Sequence, residues 1–141
     1  MAIELATIFI GKELLVESTR KIINGISDIN GHNDYYVNME LEDLDIYTCV
    51  KIIHSIMNFI EEKENNEIIK ICIDELHKIV DKIDKELSII KDLILLHKEK
   101  WFNSIRTPDY YNNVKNVKKY KKILDKRLEL FMNVFRMNLT T

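Results

Sequence analysis

The feature with the most chemical content is a run of lysines near the C-terminal end of the sequence, KNVKKYKKILDKR. Lys115, Lys119, Lys122 and Lys126 follow one another at intervals of four, three and four residues, and Lys118 lies beside them. On an α-helix these intervals place the ammonium groups in one row. Such a row can bind nucleic-acid phosphates or an anionic surface in a salt-dependent, sequence-independent way. The alternative is a solvated helix face without a ligand.

Metal binding and covalent catalysis have weaker support in the sequence. A helical di-iron centre needs an acid-x-x-His pair on each of two helices, and the chain offers one such pair, Asp74 and His77. Cys72 could meet His54 or His97 across helices, but the apolar neighbours of Cys72 favour a buried, unreactive thiol. Glycine-rich phosphate loops and nucleophile elbows are absent from the sequence. We therefore expect no catalytic residue, no metal site and no cofactor, and hence a protein that is not an enzyme.

The segment HKEKWF, residues 97–102, combines charged groups with the single tryptophan of the chain. His97 and Trp101 continue the apolar spacing of the residues before them, whereas the lysines and the glutamate fall outside that spacing. The segment is therefore interpreted as the end of a helix that an aromatic side chain anchors.

Composition limits the class of protein. The 141 residues suit a single domain over 1–141, and 46% of them are hydrophobic, with only 3 glycines and 1 proline. Scarce glycine and proline leave few tight turns, which favours an all-α fold. Cys49 and Cys72 match no disulfide framework or zinc motif, so reduced thiols in an intracellular protein are expected. The first residues lack the features of a secretion signal, and no uncharged stretch is long enough to cross a membrane.

Charge is unevenly distributed along the chain, although the net charge is only −2. Residues 1–48 carry 3 basic and 9 acidic side chains, whereas residues 97–141 carry 11 basic and 4 acidic side chains. This asymmetry indicates either attraction within the molecule or an anionic partner for the basic segment.

Apolar periodicity predicts four main amphipathic helices. The first spans about residues 2–24, the second spans about 41–62, and residues 25–39 form a loop between them. The third covers 66–104, with apolar side chains at alternating intervals of four and three. The fourth begins at Thr107-Pro108-Asp109, a sequence typical of a helix start. A short connection predicts that the last two helices form a long antiparallel hairpin.

The predicted hairpin is longer than the first two helices and would project beyond them, leaving apolar side chains uncovered. We expect a second copy of the chain or a partner protein to cover them. The predicted partner-binding residues are Ile90, Ile94, His97, Trp101, Phe102, Phe131 and Phe135. The sequence thus favours a non-enzymatic interaction or scaffolding protein that binds a partner or forms a homo-oligomer. Binding of nucleic acid or an anionic surface by the lysine row is the alternative.

Two segments carry a resemblance to a known group of proteins, LHKEKWFNSIRTPDYY and KKYKKILDKRLELF. They resemble helical proteins of unassigned function from giant nucleocytoplasmic DNA viruses. The resemblance implies a viral protein located in the host cytoplasm, the host nucleus or the virion. It transfers no catalytic or binding residue, because that group offers no motif of established role.

Small helical poxviral proteins with a Bcl-2-like fold, which modulate host signalling, are similar in size and composition. Their fold wraps several short helices around a hydrophobic central helix. The four long amphipathic helices predicted from this sequence depart from that pattern, so the Bcl-2-like function is a second alternative.

Overall fold

Five α-helices make up most of the chain that the computed structural model describes, which comprises residues 2–60, 66–98 and 109–140, with side chains for 10–60, 66–98 and 109–137. In chain order they are α1 (Ala2–Gly31), α2 (Tyr35–Leu44), α3 (Ile46–Phe59), α4 (Glu67–Lys98) and α5 (Tyr111–Thr140). These described ranges contain no β-strand. The prediction of an all-α bundle is confirmed, with five helices in place of four.

The first helix is longer than the sequence analysis indicated. It continues to Gly31, so the predicted helix end near Gly25 and the predicted loop over 25–39 are wrong. Ile26 and Ile29 extend the apolar spacing of α1, and both are buried. A glycine inside a helix costs about 1 kcal/mol, whereas burial of one isoleucine contributes roughly 1.5–3 kcal/mol. Packing of the two isoleucines therefore outweighs the helix-breaking tendency of the glycine.

A break at Asp45 divides the predicted second helix into α2 and α3. The first of these begins after Asp34, whose carboxylate accepts a hydrogen bond from the Val37 amide at 3.1 Å. Leu41 and Ile46 are both buried, but an unbroken helix would set them about 140° apart around its axis. Asp45 adopts a left-handed backbone conformation with a φ of 53°, which aspartate tolerates better than most residues. This break lets both apolar side chains face the core.

The apolar seam predicted along the third helix is buried in α4. Its buried members are Ile69, Ile73, Leu76, Val80, Ile83, Leu87, Ile90 and Ile94. The buried apolar side chains of α5 and of the residue before it are Tyr110, Val114, Val117, Leu124 and Phe131. Lys121 interrupts the α5 series and is itself buried. Its ammonium group lies 2.7 Å from the carboxylate of Asp125, which provides the charge with a partner.

Helices α4 and α5 pack closely as an antiparallel pair, as predicted. Glu86, in the second half of α4, accepts a hydrogen bond from the Asn113 amide near the start of α5 at 2.9 Å. Glu75, in the first half of α4, has its carbonyl 2.9 Å from the guanidinium of Arg127, which donates to it. These contacts fix opposite chain directions for the two helices.

Helix α1 lies parallel to α4 and covers another side of it. The side chain of Ile73 lies against Gly11, and further along the pair Lys91 forms an ion pair with Asp28 at 3.0 Å. With 30 residues, α1 is nearly as long as the 32-residue α4. Over the described residues, α1 therefore covers α4 along most of its length, and the predicted projection of the α4–α5 hairpin beyond the other helices is wrong there.

The remaining two helices are held at their ends by polar contacts. The Lys12 ammonium donates to the Ile60 carbonyl at 2.8 Å, at the C-terminal end of α3 where the helix dipole favours a cation. At the other end of the bundle, the Tyr110 hydroxyl donates its single hydrogen to the Asp34 carboxylate, whose two oxygens lie 2.8 and 2.9 Å from the hydroxyl oxygen. The apolar faces of the helices meet in one core.

The contact between Tyr110 and Asp34 makes the free energy of unfolding depend on pH in the alkaline range. Burial, followed by the hydrogen bond to Asp34, raises the pKa of Tyr110 above its ordinary value of 10.0. The pKa of Tyr110 is higher in the folded chain than in the unfolded chain. The stabilisation from this contact is therefore complete at pH values below the pKa in the unfolded chain, and it is lost as pH rises through the pKa in the folded chain. The free energy of unfolding should therefore decline above about pH 10.

A Tyr110→Phe variant tests this contact. It should lose about 1.5–3 kcal/mol at neutral pH, because a hydrogen bond to a carboxylate is removed. It should also show a shallower alkaline decline than the wild type, since the titrating hydroxyl is gone. Urea unfolding at neutral and alkaline pH measures both effects, and parallel pH profiles for the two proteins would contradict the assignment.

Candidate binding surfaces

The outward side of α5 carries four of the five predicted anion-binding lysines. Because the apolar positions of α5 face the core, Lys115, Lys119, Lys122 and Lys126 point away from it, and all four are exposed. We call these four residues the lysine face. Its ends are separated by 11 residues, or about 16 Å along the helix. None of the four forms an ion pair with the described residues.

The lysines on the sides of α5 that meet other helices behave differently. Lys118, the fifth predicted residue, forms an ion pair with Glu40 of α2 at 2.7 Å, and that hydrogen bond raises the pKa of Lys118. Lys121 is buried and paired with Asp125. The structure therefore assigns Lys118 to an interhelical contact and leaves the lysine face with unneutralised charge.

Two large apolar side chains continue the outward side of α5 beyond its last lysine. Leu130 follows Lys126 by one helical turn, and Met137 follows Leu130 by two turns. Their side chains are 62% and 69% exposed, respectively. We call them the apolar pair. The same side of the helix thus offers positive charge first and apolar surface after it.

The predicted partner-binding residues occupy different environments. Ile90, Ile94 and Phe131 are fully buried in the core of the chain, and Phe135 is partly buried beside them. His97 is partly exposed. Trp101 and Phe102, and likewise Thr107 and Pro108 of the predicted helix start, lie outside the described residues. Burial of the first three leaves them no surface for a partner, because α1 and α5 enclose the seam of α4.

Phe59 at the end of α3 is the large exposed aromatic nearest to these positions. Its ring is 70% exposed and meets the ring of Phe135 edge-on, with centroids 6.3 Å apart. Phe135 in turn stacks on Phe131 at 5.7 Å. The aromatic cluster therefore joins α3 to α5 within one chain.

The histidine and cysteine positions form structural contacts. The Thr19 hydroxyl donates to the Val16 carbonyl at 2.7 Å and lies 3.0 Å from Nδ1 of His54. Burial raises the pKa of the Cys72 thiol, which disfavours the nucleophilic thiolate. In the described ranges, no three His, Cys, Asp or Glu side chains are grouped to bind a metal.

An acidic surface at the junction of α2 and α3 was missed by the sequence analysis. Residues 22–50 contain no lysine or arginine but include six acidic residues. Glu42, Asp43 and Asp45 are exposed and form no ion pair in the described part of the chain. We call these three residues the acidic corner. The long interval without a basic residue was the signal in the sequence, and the break at Asp45 brings these carboxylates together at one helix junction.

A groove of about 480 Å³ adjoins the acidic corner. It lies between α1 and the α2–α3 junction, and its lining residues are Ile26, Asn30, Asn38, Leu41, Glu42, Asp45, Tyr47 and Thr48. The side-chain oxygen of Asn38 is buried and has no hydrogen-bond partner among the described residues. Carboxylate and amide oxygens are acceptors, so the groove suits a group that donates hydrogen bonds and carries positive charge.

Comparison with known proteins gives one weak similarity. The uncharacterized protein L717 of Acanthamoeba polyphaga mimivirus is 26% identical to this chain over 123 residues. The aligned region covers 87% of this chain and 55% of the mimivirus protein, so the chain spans about half the length of that relative. No protein-family model matches the chain, and no solved structure matches it. The predicted resemblance to uncharacterized giant-virus proteins is confirmed.

Within the described residues, none of the helices combines the length and the apolar character needed to cross a membrane.

Proposed function

We propose that the protein is a non-enzymatic interaction protein that binds an acidic surface of a partner protein with the outward side of α5. The observation that carries this proposal is the contrast among the α5 lysines. Lys118 and Lys121, on the sides that meet other groups of the chain, have carboxylate partners at 2.7 Å. The lysine face, on the opposite side, has none among the described residues. Exposed positive charge in a row of this kind favours an anionic partner.

The apolar pair favours a protein partner over a phosphate backbone. Four exposed ion pairs contribute together roughly 1–4 kcal/mol, whereas micromolar binding requires about 8 kcal/mol. Burial of large side chains supplies much of the free energy in protein interfaces. Leu130 and Met137 are placed to supply it at the end of the lysine face, and a phosphate backbone has no apolar surface to cover them.

Because the residues of the seam are buried, the proposed interface lies at a different place from the interface predicted from the sequence. Self-association through Ile90, Ile94 and Phe131 would require side chains that the chain already buries in its own core. The exposed surface of the same hairpin remains, so we retain an interaction function and assign it to the outward side of α5. Raised thiol pKa values at Cys49 and Cys72 support a protein that acts by binding.

Nucleic-acid binding by the lysine face is the second candidate. The observation that favours it is the same row of four ammonium groups, which form no ion pair with the described residues and whose attraction to phosphates needs no apolar contact. The Bcl-2-like alternative is disfavoured by the surface of α4. A Bcl-2-like fold needs a hydrophobic central helix, whereas α4 exposes polar side chains such as Lys78 and Lys85.

The two candidates are tested with fluorescent probes and charge-reversal variants. One probe is an acidic helical peptide whose glutamates recur at intervals of three and four and are followed by leucines. The others are duplex DNA and phosphatidylserine vesicles. Replacing all four residues of the lysine face by glutamate should weaken peptide binding at least about a hundredfold, since each exposed pair contributes up to about 1 kcal/mol and reversal adds repulsion.

A matched control changes four exposed lysines elsewhere, Lys51, Lys78, Lys82 and Lys85, to glutamate. It alters the net charge by the same amount and should leave peptide binding nearly intact.

Serine at both Leu130 and Met137 should weaken binding of the peptide but not of DNA. Equal binding by both charge-reversed proteins would refute a role for the lysine face. DNA binding that depends on the lysines and ignores the apolar pair would favour the second candidate.

A further inference from the structure

We infer that the partner of the lysine face is the acidic corner of a second copy of this chain, so that copies associate head to tail. This inference rests on the proposed function, because it uses the same lysines and names the acidic protein that they bind. It is carried by two surfaces of opposite charge, both exposed and both without ion pairs among the described residues.

The acidic corner differs from two nearby acids that have basic partners, because its own carboxylates form no ion pair among the described residues. Asp28 pairs with Lys91 of α4, and Glu40 pairs with Lys118 of α5. Both therefore serve contacts between helices of one chain. Glu42, Asp43 and Asp45 remain exposed within four consecutive residues, and the whole interval 22–50 contains no lysine or arginine to balance them.

The shapes of the two surfaces are compatible as well as their charges. The lysine face is a convex row on one helix, and the acidic corner borders a groove of about 480 Å³. A lysine ammonium carries three donors, and Glu42 and Asp45, two exposed acidic residues, line the groove. Ile26 and Leu41 also line the groove, which suits the aliphatic stem of an inserted lysine.

The two surfaces are different patches of the molecule. In the described part of the chain no member of one set pairs with a member of the other, so the attraction is not satisfied internally. A contact between unlike patches is heterologous and leaves one free patch at each end of a dimer. The wild type should therefore form species larger than a dimer as concentration rises, with association that salt suppresses.

Neutral variants of each surface isolate the contact. The first carries glutamine at Lys115, Lys119, Lys122 and Lys126 and keeps the acidic corner. The second combines Glu42→Gln, Asp43→Asn and Asp45→Asn, and keeps the lysine face. Asparagine tolerates the left-handed conformation at position 45, so the backbone break is preserved.

Sedimentation velocity at low salt measures the result. Each variant alone should need at least about tenfold more protein than the wild type to associate, since three or four exposed ion pairs are lost. An equimolar mixture should form heterodimers and stop there, because the second variant supplies lysines and the first supplies carboxylates. At about 1 M salt, where charges are screened beyond about 3 Å, the wild type should be monomeric.

The outcomes separate this inference from the proposed function. A wild type that stays monomeric at low salt while its lysine face binds the acidic peptide overturns the head-to-tail contact and leaves the proposed function intact. Association of the second variant at wild-type concentrations also overturns the inference, because the acidic corner would then be dispensable. Loss of both self-association and peptide binding in the wild type would refute the two together.

Discussion

Replacing Phe131 by alanine is expected to lower the free energy of unfolding by about 3–5 kcal/mol. The ring is fully buried and stacks on Phe135 with centroids 5.7 Å apart, so truncation leaves a cavity in the core of a single chain. A phenylalanine that faced a partner instead would cost the isolated chain little when removed. Urea unfolding distinguishes the two positions, provided that it is measured at low protein concentration.

The neighbouring Leu130 provides a matched control for this prediction. It occupies the same helical turn, but its side chain is 62% exposed, so Leu130→Ala should change the free energy of unfolding by no more than about 0.5 kcal/mol. Comparable losses for the two variants would contradict the orientation of α5. A loss at Phe131 that grows with protein concentration would indicate that the side chain is buried between chains.

The sequence predicted α4 well because its signal is long and uninterrupted. From Ile69 to Ile94 the eight residues of the seam keep intervals of four and three, with no glycine or proline between them, and every one of the eight is buried. A seam of this length specifies one side of one helix, so local pattern and tertiary packing agree. The antiparallel pairing with α5 was predicted from the short connection that the sequence indicates between the two helices.

The partner of that seam could not be predicted from the seam itself. Apolar spacing shows that one side of α4 must be covered, but it does not say by which element. The apolar spacing predicts an end of α1 near residue 24, which would leave α4 with too little cover and favour an intermolecular contact. In the structure the final turns of α1 reach Lys91 through Asp28, and the chain covers its own seam.

The lysine face was predictable from spacing alone, whereas the exclusion of Lys118 from it was not. Intervals of four and three place five ammonium groups close together on α5. Which of them has an acidic partner depends on Glu40, a residue of a different helix that is distant in sequence. The acidic corner has the same dependence, since its groove exists only where the left-handed Asp45 separates α2 from α3.

Replacing Ile29 by alanine tests the segment in which the observed secondary structure differs most from the predicted one. The side chain is fully buried in a part of α1 that the sequence analysis had interpreted as a loop. Alanine is the best helix former, so the substitution does not weaken the helix itself and removes only packing. We expect a loss of about 2–5 kcal/mol in the free energy of unfolding.

Ser27→Ala is the matched control, because Ser27 is an exposed position of the same helical segment. Alanine there should be neutral or stabilise the protein by up to about 0.5 kcal/mol, since it improves helix propensity without touching the core. If residues 25–31 were a loop, both variants would have small effects and the difference between them would vanish. A large loss at Ile29 beside a small gain at Ser27 requires a helix with one side buried, which is the extension that lets α1 cover the seam of α4.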